Sequence, residues 1–263
     1  MQQQALAIFP TPDIELICGD CLEVMPTLPD KSIDLILCDL PYGTTACKWD
    51  TVIPFEPLWK EYKRLIKDRG AIVLTASQPF TSALVMSNPK MFKYEWIWEK
   101  TLASNFVHSN YQPLKAHENI LVFSWSGSAQ GSAPPMVYYP QKKAGARYDK
   151  GVSMKQREGL SMGMCGSINK NESGMRFPRT VQIFNNADHA NSKHPTQKPV
   201  ALCEYLIKTY TNEGDTVLDN CMGSGTTGIA CRNLNRNFIG IEKDPKYFGI
   251  AKQRIGGDYG ILL

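Results

Sequence analysis

The fold is decided by residues 218–228, which read LDNCMGSGTTG. Residues 216–219 (TVLD) have the pattern of a buried strand, and residues 224–236 have the pattern of a helix. Glycines between a strand and a helix allow a tight turn and a close approach of the backbone to a ligand, and the helix start offers unpaired N–H groups. The segment therefore predicts an α/β protein with a nucleoside-binding turn.

An acid follows this turn at the end of the next strand. Glu242 closes residues 237–242 (NFIGIE), a position that suits the hydroxyls of a ribose. Gly223, Gly225 and Gly228 also have the G-x-G-x-x-G spacing of NAD-dependent dehydrogenases. Only 35 residues follow Gly228, so the second half of a dinucleotide fold would have to come from the N-terminal part of the chain. A dehydrogenase stays open on this pattern alone, whereas the missing GK[ST] excludes a P-loop.

Strands and helices alternate on both sides of a central interruption. Strand patterns occupy 14–18, 33–38, 71–76, 93–100 and 118–125, and helical patterns occupy 54–68, 199–211 and 244–255. This alternation predicts a mostly parallel sheet covered on both faces by helices. We expect residues 1–125 and 193–263 to share one sheet, with residues 126–192 inserted between them.

The inserted stretch has a distinct composition. It holds eight of the twenty glycines and few aliphatic residues. Residues 126–199 contain 11 Lys and Arg against 4 Asp and Glu, whereas the rest of the chain contains 18 and 21. The positive excess therefore lies in one stretch and indicates a surface that faces a polyanion. A solvated basic surface without a partner, or a disordered segment, is the alternative.

Composition and patterning exclude several other classes of protein. No run approaches the roughly 18 apolar residues of a membrane helix, and MQQQALAIFPTPD lacks the pattern of a secretory signal. The eight cysteines are therefore expected to be reduced thiols in a cytoplasm. Cys18 and Cys21 form a CxxC pair, but no second pair has a matching spacing, so no metal site is predicted.

A second candidate turn follows the strand at 33–38 and reads Asp39-Leu40-Pro41-Tyr42-Gly43. Open α/β sheets bind ligands at the carboxyl ends of their strands. A carboxylate and a backbone carbonyl on one turn can both accept hydrogen bonds from an amino group, and an aromatic ring can stack on a planar base. On this segment alone, a purely structural turn is the alternative.

Together the two turns resemble the DNA amino-methyltransferases that use S-adenosylmethionine. Asp39-Leu40-Pro41-Tyr42 is similar to the family's catalytic motif D/N/S-P-P-Y/F/W except at Leu40, a position that acts in the family through its backbone carbonyl. Residues 218–227 resemble the cofactor motif LDPFxGSGTT except at Asn220 and Cys221. The missing Phe removes a ring that helps to hold the cofactor in the family.

Shorter segments extend the resemblance. Residues 194–199 (HPTQKP) are similar to a family segment beside the methionine moiety, and residues 19–21 (GDC) are similar to the segment whose acid helps to hold adenosine. Trp98-x-Lys100 and residues 117–121 (HENIL) also resemble the family. The order of the motifs, with the catalytic turn first and the cofactor glycines last, resembles the family's β-group, a circular rearrangement of the methyltransferase sheet.

The resemblance implies a single Rossmann-like methyltransferase domain with a mostly parallel, circularly rearranged sheet. Residues 1–125 would form its catalytic part, residues 126–192 an inserted target-recognition region, and residues 193–263 its cofactor-binding part. The implied partner is DNA, expected to be double-stranded, with no membrane partner. A homodimer is one arrangement considered, and the expected location is the cytoplasm of a bacterial or phage-infected cell.

The implied activity is site-specific methyl transfer from S-adenosylmethionine to N6 of adenine in DNA. In the family, Asp at the first motif position goes mostly with adenine and Ser with cytosine. The flipped base would stack on Tyr42 and donate hydrogen bonds to Asp39 and the carbonyl of Leu40, beside Pro41. An N4-cytosine enzyme, or a relative that binds DNA without turnover, remains the alternative.

The remaining site residues follow from the same resemblance and from the basic stretch. The implied cofactor-binding residues are Asp20, Cys21, Lys198, Asp219, Gly223, Ser224, Gly225, Thr226, Thr227 and Glu242. The expected DNA-binding residues are Lys142, Lys143, Arg147, Arg176 and Arg179.

Overall fold

The computed structural model describes residues 11–44, 50–129, 131–132, 134–152, 168–186 and 197–256. The strands are β1 (Ile14–Cys18), β2 (Ile33–Asp39), β3 (Ile66–Ala76), β4 (Phe92–Ser104), β5 (Lys115–Phe123), β6 (Lys143–Ala144), β7 (Tyr148–Val152), β8 (Ile168–Asn171), β9 (Met175–Arg176), β10 (Val181–Phe184), β11 (Thr216–Asp219) and β12 (Asn237–Glu242). The helices are α1 (Cys21–Val24), α2 (Phe55–Leu65), α3 (Phe80–Ser87), α4 (Val200–Tyr210), α5 (Thr226–Asn233) and α6 (Pro245–Gly256). None of the helices described is long and apolar enough to cross a membrane.

Eight strands form the main sheet, in the order β1-β12-β11-β2-β3-β5-β4-β10. Each neighbouring pair from β1 to β3 is parallel, β5 is antiparallel to both β3 and β4, and β10 is parallel to β4. The predicted mostly parallel sheet is therefore confirmed. Among the described residues, the last two strands, β11 and β12, lie between the first two, β1 and β2.

The sheet separates two apolar cores because successive side chains of a strand point to opposite faces. In β2, Ile36 and Cys38 pack on one face, whereas Leu35 and Leu37 pack on the other. Helices α1, α2 and α3 cover the first face, and helices α4, α5 and α6 cover the second. Both faces of the sheet are thus covered, as the alternation of strands and helices predicts.

Helix α2 ends earlier than its sequence pattern predicts. The pattern extends over residues 54–68, but β3 begins at Ile66, which pairs with Ile33 of β2. The register then shifts, so that Ala71 pairs with Leu35. Sheet pairing of Ile66 therefore overrides the helical periodicity of the last residues. Helix α3, which packs Phe80 and Leu84 into the core, has no counterpart among the predicted elements.

The chain divides into two compact units, Met1–Tyr139 with Thr180–Leu263, and Pro140–Arg179. The second unit is narrower than the region expected at 126–192, because β10 joins the main sheet. Residues before 140 also belong to the first unit: the Ser126 hydroxyl donates to the Asp68 carbonyl, and the Tyr139 N–H donates to the Thr209 carbonyl. Within the second unit, β6 pairs with β9 and β7 with β8, both antiparallel.

Candidate active site

Four acidic side chains lie at one edge of the main sheet. Asp20 follows β1, Asp39 ends β2, Asp219 ends β11 and Glu242 ends β12. These four strands are parallel, so their carboxyl ends meet at the same edge. Asp20 and Glu242, which are 222 positions apart in the sequence, are therefore brought to a common edge of the sheet, the kind of edge at which open α/β sheets bind ligands.

The turn between β11 and α5 requires glycine at two positions. Gly223 and Gly225 have positive φ angles of 53° and 80°, which favour glycine. A Cβ atom on Gly225 would lie 2.7 Å from Cδ1 of Ile255 and 3.0 Å from Cβ of Ala251. Gly225 therefore allows the start of α5 to pack closely against α6; the close approach of this backbone to a ligand stays a prediction.

Glu242 holds the backbone of this turn. Its Oε2 atom accepts the N–H of Gly223 and its Oε1 atom accepts the N–H of Asp244, each at 2.8 Å. Burial raises the pKa of Glu242 above its ordinary value, against the lowering effect of these hydrogen bonds. A carboxylate oxygen has two lone pairs, so each oxygen can still accept one hydroxyl.

Asp219 points into the protein. Its Oδ1 atom accepts the N–H of Cys221 at 3.1 Å, and its Oδ2 atom accepts the hydroxyl of Thr227 at 2.7 Å. Burial raises the pKa of Asp219 to about 7, although these hydrogen bonds oppose the rise. Asp219 and Thr227 therefore tie the end of β11 to the first turn of α5, where Thr226 and Thr227 are both buried.

Asp20 and Cys21 lie beside Glu242. The backbone N–H of Gly19 donates to the carbonyl of Glu242. Oδ1 of Asp20 accepts the N–H of Leu22 and so caps α1, while its Oδ2 lies 2.7 Å from Nζ of Lys243. The Lys243 ammonium and the Leu22 N–H together lower the pKa of Asp20. Cys21 is buried in the core under this edge.

The segment before α4 is joined to the glycine turn. Oε1 of Gln197 accepts the hydroxyl of Ser224 at 3.3 Å, and Nη1 of Arg254 donates to that same hydroxyl oxygen at 2.7 Å. Of the HPTQKP segment, residues 194–196 lie outside the described residues, whereas Gln197, Lys198 and Pro199 are described. Gln197 and Arg254 were not predicted as site residues, because their contacts depend on the fold.

The carboxylate of Asp39 is surrounded by donors. Oδ1 accepts the hydroxyl of Tyr42 at 2.7 Å and also the hydroxyl of Thr75, and Oδ2 lies 2.6 Å from Nζ of Lys198. Lys198, expected at the cofactor, thus contacts the catalytic turn. Leu40 is buried, while Pro41 and Tyr42 are half-buried.

The ring of Tyr42 is held by an aromatic neighbour. It stacks on Phe80 of α3, with the ring centroids 5.2 Å apart. Nζ of Lys198 lies 5.8 Å from the centroid of the same ring. The expected stacking platform for a base is therefore backed by a second ring, which the sequence analysis did not identify because α3 was not predicted.

The basic residues of the second unit differ in exposure. Lys142, Lys143, Arg147 and Arg179 are exposed, whereas Arg176 is half-buried. The Arg176 guanidinium stacks on Tyr148 at 4.6 Å and donates to the carbonyl of Ala146, and Nζ of Lys142 lies 4.3 Å from the Phe177 ring centroid. Arg176 therefore contributes to the packing of this unit. In the described part of the chain, no cluster of three or more His, Cys, Asp or Glu side chains could hold a metal ion.

Comparison with known proteins gives the family of this α/β chain. A model of the N6/N4 methyltransferases, described as DNA methylase, matches residues 33–253. The chain belongs to this family of DNA methylases. It is 30% identical to the Type II methyltransferase M.HpaI of Haemophilus parainfluenzae, over 94% of this chain and 76% of that protein. It is 28% identical to M.HinfI of Haemophilus influenzae, over 91% and 67%.

Solved structures agree with this assignment. The chain is similar to the M1.HpyAVI–SAM complex, with a TM-score of 0.62 and 27% identity over 92% of this chain and 99% of that one. PvuII DNA methyltransferase (cytosine-N4-specific) has a TM-score of 0.65 at 17% identity, over 94% of this chain and 88% of that one, and shows the shared fold alone. The protein is a DNA methyltransferase of the N6/N4 family whose methyl donor is S-adenosylmethionine.

The residues at the sheet edge fit this cofactor. Gly223 and Gly225 have positive φ angles, and Gly225 packs so closely against Ile255 and Ala251 of α6 that only a glycine fits there. The carboxylates of Glu242 and Asp20 lie at the same edge, and each oxygen of Glu242 keeps a lone pair for a further donor. At Cys221, where the family motif has Phe, a thiol packs against the core.

Proposed function

We propose that this enzyme methylates N6 of adenine in double-stranded DNA, acting on a base flipped out of the helix. The observation that carries the proposal is the carboxylate of Asp39 at the end of β2, with the ring of Tyr42 three residues later. An amino group inside a base pair cannot reach a methyl donor bound in a protein. Flipping the base overcomes this at a cost of a few kcal/mol.

The catalytic turn would bind the flipped base in two ways. The base stacks on Tyr42, whose ring is supported from behind by Phe80. Its amino group donates hydrogen bonds to Asp39 and to the backbone carbonyl of Leu40. These two acceptors hold the nitrogen in a geometry in which its lone pair is directed out of the ring system. The nitrogen thereby becomes a better nucleophile, and positioning provides much of the rate.

S-adenosylmethionine would supply the methyl group of its sulfonium: the C–S bond would break as the N–C bond forms, the sulfur would keep the electron pair as a neutral thioether, and the amino group would lose one proton to water. Gly223, Gly225, Asp20 and Glu242 are proposed to hold it at the edge of β11, β12 and β1. Asp219 and Thr227 contact each other and shape the turn from inside. No covalent bond between the enzyme and the base is needed, so no cysteine acts as a nucleophile.

The basic unit Pro140–Arg179 is proposed to bind the DNA. Lys142, Lys143, Arg147 and Arg179 are exposed there, as expected for residues that contact phosphates or base edges. Arg176 supports this surface through its stacking on Tyr148. The relatives M.HpaI and M.HinfI are Type II methyltransferases, which supports recognition of a short DNA sequence by this chain as well.

Adenine is favoured over cytosine by the first residue of the catalytic motif. Asp39 occupies a position where the family mostly pairs Asp with adenine and Ser with cytosine. Cytosine N4 is the second candidate, since the fold is shared with a cytosine-N4-specific enzyme. Both bases present an exocyclic amino group, and the same acceptors would serve either one.

The test is mass spectrometry of nucleosides from unmethylated plasmid DNA incubated with the protein and methyl-labelled S-adenosylmethionine. We expect labelled N6-methyladenine. If labelled N4-methylcytosine forms instead, the target base is cytosine and the rest of the proposal stands. Absence of any labelled nucleoside, with cofactor binding demonstrated by calorimetry, would overturn the proposed activity.

A further inference from the structure

Four charged side chains form a chain of alternating sign that leads away from the catalytic carboxylate. Asp39 contacts Lys198 at 2.6 Å, Lys198 lies 3.3 Å from Glu118, and Glu118 contacts Lys100 at 2.5 Å. The side chains of Lys198, Glu118 and Lys100 are each only 11% exposed. Two carboxylates and two ammonium groups balance in charge, which allows this chain to be buried.

Asp39 has little capacity left for another donor in this arrangement. A carboxylate offers about four lone-pair positions, two on each oxygen. The hydroxyls of Tyr42 and Thr75 both lie within hydrogen-bond distance of Oδ1 and of each other, and the ammonium of Lys198 takes one position on Oδ2. The base amino group must therefore share Oδ2 with a cation or replace it.

Within the described part of the chain, Glu118, in contrast, has an oxygen that lacks a hydrogen-bond donor. Its Oε1 atom receives Lys100, whereas Oε2 is buried and, among the described residues, lacks a hydrogen-bond donor. Nζ of Lys198 is 3.3 Å away from this oxygen, within ion-pair distance but outside hydrogen-bond geometry. A buried acceptor without a donor is unfavourable and calls for a specific explanation.

We propose that Glu118 is a positioning residue for methyl transfer: it receives the ammonium of Lys198 when the target amino group takes the place of that ammonium on Asp39. This inference rests on the proposed function. Lys198 has three N–H donors on a flexible side chain and lies between the two carboxylates. A small rotation shortens its contact with Glu118, provides Oε2 with its donor and frees Oδ2 of Asp39.

The chemistry of the transfer favours this exchange. The target nitrogen gains positive charge as it bonds to the methyl group, and an ammonium bound to the same carboxylate oxygen opposes that gain. An ammonium moved to Glu118 stays near enough to keep the chain of charges balanced. Burial disfavours the charged forms of both groups, but the neighbouring charges outweigh it: the pKa of Lys198 is raised, and the pKa of Glu118 is lowered.

The experiment compares Glu118→Gln with the wild type and with Glu99→Gln. Glu99 is exposed on the neighbouring strand β4, next to Lys100, and serves as the matched control. The measured quantities are the single-turnover rate of methyl transfer to unmethylated plasmid DNA, the Kd of S-adenosylmethionine and the Tm. We expect Glu118→Gln to slow transfer about tenfold or more, with the Kd changed less than about twofold, and Glu99→Gln to match the wild type.

A double-mutant cycle separates positioning from a general structural role. In a Lys198→Met background, Glu118→Gln has no ammonium to receive, so we expect it to add less than about a twofold change in rate. An independent, multiplicative effect in that background would overturn the proposal. So would an effect of Glu118→Gln confined to the Kd of S-adenosylmethionine, which would assign Glu118 to cofactor binding instead.

A second variant keeps the test valid if Glu118→Gln alone fails to fold because Lys100 is left unpaired. Glu118→Gln combined with Lys100→Met restores the charge balance, and we expect the same slow transfer. If the wild type methylates DNA and the variants do so at the same rate, the role of Glu118 is overturned and the proposed function stands. Absence of methylation by the wild type would overturn the proposed function itself, and this inference with it.

Discussion

Nζ of Lys198 lies 2.6 Å from Oδ2 of Asp39, which joins two residues 159 positions apart in the chain. Asp39 ends β2 in the N-terminal part, and Lys198 stands two residues before α4 in the C-terminal part. The catalytic turn and the segment beside the cofactor turn therefore share an ion pair. Loss of Lys198 is therefore expected to affect the catalytic turn.

Asp39→Ala should abolish methylation and preserve cofactor binding. The substitution removes the acceptor of the target amino group, and loss of one such electrostatic contact lowers rates by about 100-fold or more. Lys198 keeps Glu118 as a counter-ion, so the segment before α4 stays paired. Labelled methyl transfer to DNA and calorimetric titration with S-adenosylmethionine are the two measurements. Full turnover by the variant would contradict the assigned role.

Gly225→Ala should destabilise the protein by about 1–3 kcal/mol and weaken cofactor binding. Its φ of 80° disfavours any residue with a Cβ, and the added atom would contact Ile255 and Ala251. Gly249→Ala within α6 is the matched control, since an added Cβ there meets nothing within 4 Å. That control should be stabilised by about 0.5–1 kcal/mol. Denaturant unfolding of both variants compares them directly, and equal effects would show that the turn is not strained.

Glu242→Gln should raise the Kd of S-adenosylmethionine about tenfold. An amide has one oxygen, so it cannot accept from Gly223 and Asp244 and also receive ribose hydroxyls as a carboxylate does. Glu23→Gln, at an exposed position of α1, is the control and should bind the cofactor normally. Unchanged affinity in Glu242→Gln would remove Glu242 from the cofactor site.

The stability difference between wild type and Asp219→Asn should depend on pH. Asp219 has a pKa of about 7 in the folded protein and about 4 when unfolded. Between these values the folded state holds a proton that the unfolded state releases, so the free energy of unfolding falls as the pH rises from about 4 to about 7. Asp219→Asn lacks this dependence. Unfolding in denaturant at several pH values measures it, and parallel curves for the two proteins would contradict the raised pKa.

DNA binding should weaken with salt through the exposed residues of the basic unit. Arg147→Gln and Arg179→Gln should each lower the slope of log affinity against log salt concentration by about one, if each residue neutralises one phosphate. Lys60→Gln, exposed on α2 of the other unit, should leave the slope unchanged. Fluorescence anisotropy with labelled duplex DNA gives the slopes. Equal slopes in all variants would place the DNA elsewhere.

The sequence predicts the sheet edge well because strand ends are local features. Asp39, the glycine turn and Glu242 each directly follow or close an apolar run, and parallel strands bring such ends together. The boundary of α2 was wrong by three residues, since pairing of Ile66 with Ile33 depends on the sheet. The target-recognition region expected at 126–192 stays a prediction, and the compact unit Pro140–Arg179 lies within it.

Contacts within the site were harder to predict because they join distant segments. Residues 98–100 and 117–121 resemble the family in sequence. That resemblance does not predict the contacts of Glu118 with Lys100 and Lys198. The inward orientation of Asp219 depends on the hydroxyl of Thr227, eight residues later. Phe80 behind Tyr42 belongs to a helix without a strong sequence pattern.

The position of β1 beside β12 has a consequence for how the protein is made. The pairing partner of Ile14 is Phe238, which is synthesised 224 residues later. The edge that holds Asp20 next to Glu242 closes only after β12 has been synthesised. Pairing over so long a separation slows folding and leaves apolar strands exposed in the meantime. A chain truncated before β12 would therefore also leave β1 without its pairing partner.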